Sequence, residues 1–382
     1  MPGWLSKLPL LALVLACGSE ASPPPSGSAG TTSSAAGTGG STQGGGGSGG
    51  GAGGIASAGA GPSAGGAAGM ASGGTDSAGS SGSAGTGAGT GGASGGTGGS
   101  AGSGPVLPEG NAGAPPEEWT EHWFEHVQVL KLVDYNEWVV LYFDDDVDQS
   151  QAEWLMSFLT EVWQYTLQHY GQFTDGERDG RLYGIFHQGK YSGGHPSTYF
   201  DASHDYRNVS DAGPGPWTEG NYDLASHEVS HIVEGASRGV HGSPAFGLWG
   251  DSKWAEFYQY DLYVGLGMDA EAERVLDKFS NTSDSFPQAD THWFRDWYYP
   301  LWLDHGGVSV MVNFFQVLSE NFPKNGDNYS GGMNFGEYVH FMSGAVNKNL
   351  KPLATEAFGW PAERETEFQN ARTEFSAITY PD

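Results

Sequence analysis

The sequence has almost no cysteine. Cys17 stands alone among 382 residues, which excludes a disulfide framework within the chain and a metal site built on several thiolates. Basic residues are scarce as well: 16 Lys and Arg face 45 Asp and Glu, for a formal net charge of -29. A nucleic-acid surface needs clustered positive charge, and this balance argues against one. It also discourages adhesion to an anionic membrane and keeps the chain soluble. Long apolar runs are missing too, since the run from Leu8 to Ala16 is too short to span a bilayer. Residues 18 to about 104 lack both charge and bulk. They are nearly all Gly, Ser, Ala and Thr, with Glu20 and Asp76 as the only charges. Such a stretch cannot bury enough surface to offset its ordering entropy, so a flexible tether is expected. Its glycine runs are not phosphate loops, because no Lys-Ser/Thr follows them.

What is present at the N-terminus is Lys7, the short apolar run and Val14-Leu15-Ala16-Cys17. This resembles a bacterial lipoprotein signal, cleaved before a cysteine whose thiol is then lipidated. The resemblance implies export to the bacterial cell envelope, at the outer membrane or cell surface, with membrane contact only through a lipid on Cys17. The expected organisation is therefore a signal over 1–17, a tether over 18–104 and a folded domain over 105–382. That last part is rich in Trp, Tyr and Phe and long enough to bury a sizeable core.

Within it, Trp119 to Asp146 reads as strands, with Trp138-Val-Val-Leu-Tyr-Phe143 as a buried one. A helix follows, with Ser150-x-x-Glu153 as a capping box, a stripe of Trp154, Leu155, Phe158, Leu159, Val162 and Trp163, and a stop at Gly171. Arg181 to His187 is another strand, and the stretch to Pro216 is expected to be irregular. A helix capped by Asp223 and ending near Gly239 comes next, then one over about 252–264. Further helices are expected at about 291–304, 308–321 and 334–346, and from Pro361 onward. The class is α+β, with a sheet-containing lobe over about 115–240 and a mostly helical lobe over about 241–382.

The chemistry concentrates in Asp223-Leu-Ala-Ser-His-Glu-Val-Ser-His-Ile-Val-Glu234. His227 and His231, four apart on a helix, project from one face and can reach a single metal ion. Glu228 beside them can act on a metal-activated water. Zinc suits neutral imidazole nitrogen and lowers the pKa of bound water towards 7. A third protein ligand is needed. Glu234 and Ser237 stand where a metzincin would have Gly and His, so that pattern is absent. The first choice is Glu256, in Trp254-Ala-Glu-Phe-Tyr-Gln-Tyr-Asp261 on the next helix, and the runner-up is Asp251.

His227-Glu228-x-x-His231 with Glu256 downstream resembles the gluzincin clan of zinc metallopeptidases over about residues 222–264. Ala255 departs from the Asn that many gluzincins carry before the ligand glutamate. The resemblance implies a zincin-like fold, a peptide or protein substrate, and zinc held by His227, His231 and Glu256, with Glu228 as general base. It also implies a donor to the developing oxyanion, for which Tyr298 and Tyr299 are the candidates. Asp261 is a candidate for orienting a ligand histidine. The competing reading is a non-catalytic surface module for glycan or protein, with a structural or vestigial metal site.

Two other groups stand out. His122-Trp-Phe-Glu-His126 has the inverted His-x-x-Glu-His order but lacks a helical partner glutamate, and reads as an opening helix or strand edge. Asp144, Asp145, Asp146 and Asp148 lack the Gly and terminal Glu of an EF-hand and read as a solvated turn.

Overall fold

The computed structural model describes residues 105–110 and 113–382. The expected signal and tether lie outside the described residues. Six strands form the sheet: β1 (Glu118–Thr120), β2 (Val129–Tyr135), β3 (Val139–Phe143), β4 (Leu182–Phe186), β5 (Gly193–Ser197) and β6 (Asn208–Gly213). Their order is β1-β2-β3-β4-β6-β5. The first three run antiparallel, β3, β4 and β6 are parallel, and β5 closes the sheet antiparallel to β6.

β3 reads Val-Val-Leu-Tyr-Phe and β4 Leu-Tyr-Gly-Ile-Phe, and every residue of both is buried. Continuous apolar strands of this kind are covered on both faces. On one face, Val139, Leu141 and Phe143 pack with α1 (Ala152–Tyr170) and α2 (Asp223–Ala236). On the other, Val140, Tyr142, Tyr183, Ile185 and Val209 meet Trp119, Trp123 and Leu130. The stripe of α1 is buried at Leu155, Phe158, Leu159, Val162 and Trp163, each contributing roughly 1.5–3 kcal/mol of transfer free energy. Gly171, at φ 93°, ends that helix as expected. Its start differs: Asp148 accepts from the Ser150 amide in a 3-10 turn, and no side chain caps α1 itself.

The rest is helical: α3 (Phe246–Trp249), α4 (Lys253–Gly265), α5 (Asp269–Ser280), α6 (Tyr299–His305), α7 (Ser309–Asn321), α8 (Phe335–Val346), α9 (Lys351–Phe358) and α10 (Ala362–Glu374). A short hairpin, β7 (Lys324–Asn325) with β8 (Asn328–Tyr329), separates α7 from α8. α4 packs on α2 and α5, and α8 packs on α7 and α10. Asn334 and Glu337 form a capping box at the expected start of α8. The helix expected at 291–304 is a π-helical turn, Phe294–Tyr298, running into α6.

The class is α+β, with a mixed sheet and many helices. The largest departure is the stretch from Gln188 to Pro216, which holds β5 and β6 instead of being irregular. Gly193-Gly-His-Pro-Ser197 has none of the alternation that marks a strand. It is one through pairing with β6, its glycines allowing close approach from neighbouring elements. Among the described residues no helix is long and apolar enough to cross a membrane.

Candidate metal centre

α2 turns Ala225, Val229, Ile232 and Val233 into the core, which leaves His227 and His231 one turn apart on another face. Their Nε2 atoms lie 3.2 Å apart. Two ligands of a tetrahedral ion with bonds of 2.0–2.1 Å are separated by about 3.3 Å, so the pair has the spacing of two zinc ligands. His231 Nδ1 bonds Glu234 Oε2 at 2.9 Å, and Glu234 Oε1 accepts from Trp249 Nε1 at 2.6 Å. This carboxylate fixes the ring with Nε2 towards His227. Against burial, which opposes the charge, the Glu234 hydrogen bond lifts His231 to about 9. Burial and the neighbouring His231 push His227 down to about 4.

Glu234 was not anticipated in this role, although a carboxylate three residues past a helical histidine is a readable signal. The orienting role suggested for Asp261 is corrected. Its Oδ2 accepts from Tyr165 Oη at 2.6 Å and its Oδ1 from Trp302 Nε1 at 2.7 Å, because position 261 of α4 looks towards α1 and α6.

The carboxylate beside the imidazole pair belongs to Asp251. Its Oδ1 is 3.5 Å from His231 Nε2 and its Oδ2 is 3.9 Å from His227 Nε2. His227, His231 and Asp251 form a group whose ligating atoms all lie within 4.8 Å of one another. Glu256 stands in the first turn of α4. It lines the same cavity, of about 420 Å³, as His227, Asp251 and Gly193 of β5. Burial pushes its carboxyl up to about 7, opposed by Lys253, whose Nζ is 3.7 Å from Oε1. Both carboxylates considered from sequence therefore reach the cavity, the runner-up touching the imidazoles.

Glu228 is fully buried. Its carboxylate lies against Gly194 of β5, where an added Cβ would come within 2.7 Å of its Cδ. Asp223 does not cap α2 with its side chain. Its carboxylate pairs with Arg274 and accepts from Tyr263 Oη at 3.0 Å.

Tyr298 and Tyr299 are not brought to the cavity wall. Tyr298 is wholly buried, 3.3 Å from Tyr338 Oη and edge-on to Phe257, and Tyr299 stacks on Phe294. Their sequence is aromatic on both sides, and the segment folds inward as core. Lys278 lines the cavity instead. His241 is a loop histidine, bonded to Asn328 Oδ1 at 2.9 Å. His187, His195 and His204 lie apart from α2's histidines. Asp144 is buried, not solvated: Lys190 Nζ reaches Asp144 Oδ2 and Asp145 Oδ1 at 2.8 Å each.

No family model and no curated protein matches the chain. Among solved structures it is similar to a functionally unknown conserved protein from Bacillus anthracis str. Ames. The identity is 13% over 64% of this chain and 51% of that one, with a TM-score of 0.40. A mutant form of such a protein from the same organism gives 12% identity, 62% and 51% coverage, and a TM-score of 0.39. The chain thus spans about half the length of these structures. A likeness this distant bears on neither fold nor site.

Proposed function

We propose that the protein is a zinc-dependent metallopeptidase of gluzincin type on a zincin-like fold. The observation that carries this reading is the imidazole pair of α2, Nε2 to Nε2 at 3.2 Å, with the intervening Glu228 buried against the terminal strand. A purely structural metal site has no need of a carboxylate base there. His227 and His231 would hold the ion, with a carboxylate from Asp251 or Glu256. Zinc, when bound, supplies Lewis acidity and lowers the pKa of water.

The chain's own groups do the rest. Glu228 takes a proton from the water that attacks the peptide carbonyl and delivers it to the leaving nitrogen as the C–N bond breaks. Glu234 holds His231 in the required orientation. β5 is the terminal strand, and its Gly193 lines the cavity. An extended peptide pairing along that strand would pass Glu228, which suits a peptide or protein substrate over a small molecule. The lipoprotein-like signal ending at Cys17 supports a lipid-anchored enzyme at the bacterial cell envelope, and the acidic charge balance supports no nucleic-acid partner.

Zinc content of the purified protein tests this. His231→Ala is expected to hold one zinc per chain fewer than wild type after reconstitution. Comparing Asp251→Asn with Glu256→Ala then identifies the carboxylate ligand, as the one whose loss removes the ion. Unchanged zinc in His231→Ala would defeat the reading.

A further inference from the structure

The inverted motif His122-Trp-Phe-Glu-His126 is neither helical nor a unit. The segment is a turn with Phe124 at φ 53°. Glu125 is exposed, and His122 faces solvent beside Asp205. His126 instead turns inward and joins Glu121, His187 and Asp211, four side chains from three separate parts of the chain. Their ligating atoms all lie within 4.8 Å of one another. His126 Nδ1 is 3.3 Å from Glu121 Oε1 and 3.4 Å from Asp211 Oδ2. His187 Nε2 is 3.1 Å from Glu121 Oε1 and 3.2 Å from Asp211 Oδ1.

We infer that these four residues form a second divalent-cation site, of zinc type and structural in role, on the face of the sheet opposite α2. The contacts match the edges, about 3.3–3.4 Å, of a tetrahedron with 2.0–2.1 Å bonds to nitrogen and oxygen. Calcium, with six to eight oxygens at 2.3–2.6 Å, does not fit two imidazoles at this spacing.

An independent observation points the same way. His187 is fully buried, and its Nε2 makes no hydrogen bond, although two carboxylate oxygens stand near it. Its other nitrogen is fixed: Nδ1 lies 3.0 Å from Asp144 Oδ2, which Lys190 also holds. A histidine clamped by a carboxylate, with its second nitrogen aimed into a cluster of acceptors, is the arrangement of a metal ligand. The remaining members are held from behind as well. Gln128 N donates to Glu121 Oε2 at 3.1 Å, Trp123 Nε1 to Asp211 Oδ2 at 3.3 Å, and the Tyr191 ring stacks on His126.

Two carboxylates with side chains 0% and 2% exposed are costly to bury without positive charge beside them, which His126 and His187, both lifted by these carboxylates against burial, supply when no ion is bound. One dication would balance both. Four protein ligands leave no open position, which marks a structural site rather than a catalytic one. Bound there, the ion would staple the segment after β1 to the ends of β4 and β6.

The test uses the full protein in the His227→Ala/His231→Ala background, which removes the α2 site, with zinc ion as the probe. One zinc per chain is expected to remain. It is expected to be lost when Glu121→Gln and His126→Gln are added. Zinc in hundredfold excess over its dissociation constant should raise the Tm of the double-alanine protein by about 5 °C. The melting measurement stands even where the added substitutions prevent folding. A zinc-free, folded double-alanine protein with no zinc-dependent Tm shift would overturn the site, as would zinc retained without Glu121 and His126. Failure of the α2 site gives a different pattern, wild type and the double-alanine protein then holding the same single zinc.

Discussion

Two groups of histidines and carboxylates flank the same pair of strands, one on each face. On the α2 side, His227 and His231 come from one helix, one turn apart, and His227 lines a cavity with Asp251, whose side chain is 46% exposed. On the opposite side, Glu121, His126, His187 and Asp211 come from three chain segments, and no side chain among them is more than 11% exposed. Strand alternation separates the two: Gly194 of β5 meets Glu228, while its neighbour His195 turns to Asp211, 3.3 Å away. An open site built on one rigid helix suits turnover. A closed site tying three segments together suits stability. Under the two proposals, similar side-chain sets diverge in role through exposure and the number of segments they join.

The comparison breaks most visibly at His187. Its replacement by Ala leaves Glu121, Asp211 and Asp144 without their shared partner, at a cost of about 3–5 kcal/mol and a fall in Tm of about 10 °C. Peptide cleavage measured well below the new Tm should persist. A Tm within about 2 °C of wild type would sink the structural role.

Burial alone and burial with imidazoles also separate. Burial raises the carboxyls of Asp211 and Asp261 alike. For Asp211 the facing His195, His126 and His187 overcome it and hold the group well below the usual range. Asp261, with only Tyr165 and Trp302 as donors, is pushed up to about 6. A folded-state pKa above the unfolded value of 3.8 means that stability is present below about pH 4 and lost as pH rises towards 6. The loss is about 3 kcal/mol. Denaturant melts at pH 4 and pH 7 should show wild type losing about 3 kcal/mol relative to Asp261→Asn over that range; equal changes in the two proteins would contradict it.

The mirror-image break lies on the α2 face and is smaller. Gly194→Ala forces the Glu228 carboxylate aside. The expected loss in kcat is about a hundredfold, with zinc content unchanged. Full activity in that variant would remove Gly194 from the account.

The same contrast explains what the sequence made legible. An i, i+4 pair needs only a helix, so His227, Glu228 and His231 were readable from spacing, and the buried strands β3 and β4 from continuous apolar runs. Residue-by-residue reading stops where contacts are assembled by topology. His126, His187 and Asp211 are isolated in sequence, and β5, written Gly-Gly-His-Pro-Ser, is a strand only because β6 pairs with it. Glu256 is the sequence's first choice for its place on a helix, while the turn at Gly250, with φ 60°, brings Asp251 beside the imidazoles. Tyr298 and Tyr299 illustrate the opposite limit: aromatic residues that a family resemblance offers as oxyanion donors pack as core when their neighbours are aromatic too.

The central claim is that Glu228 is a catalytic base beside a metal ion. The direct measurement is cleavage of a mixed peptide library by wild type and by Glu228→Gln at equal zinc content. The account predicts cleavage by wild type and a loss of about 10²–10⁴-fold in rate for the variant. Cleavage at the same rate by both, or by neither when zinc is fully loaded, would contradict it.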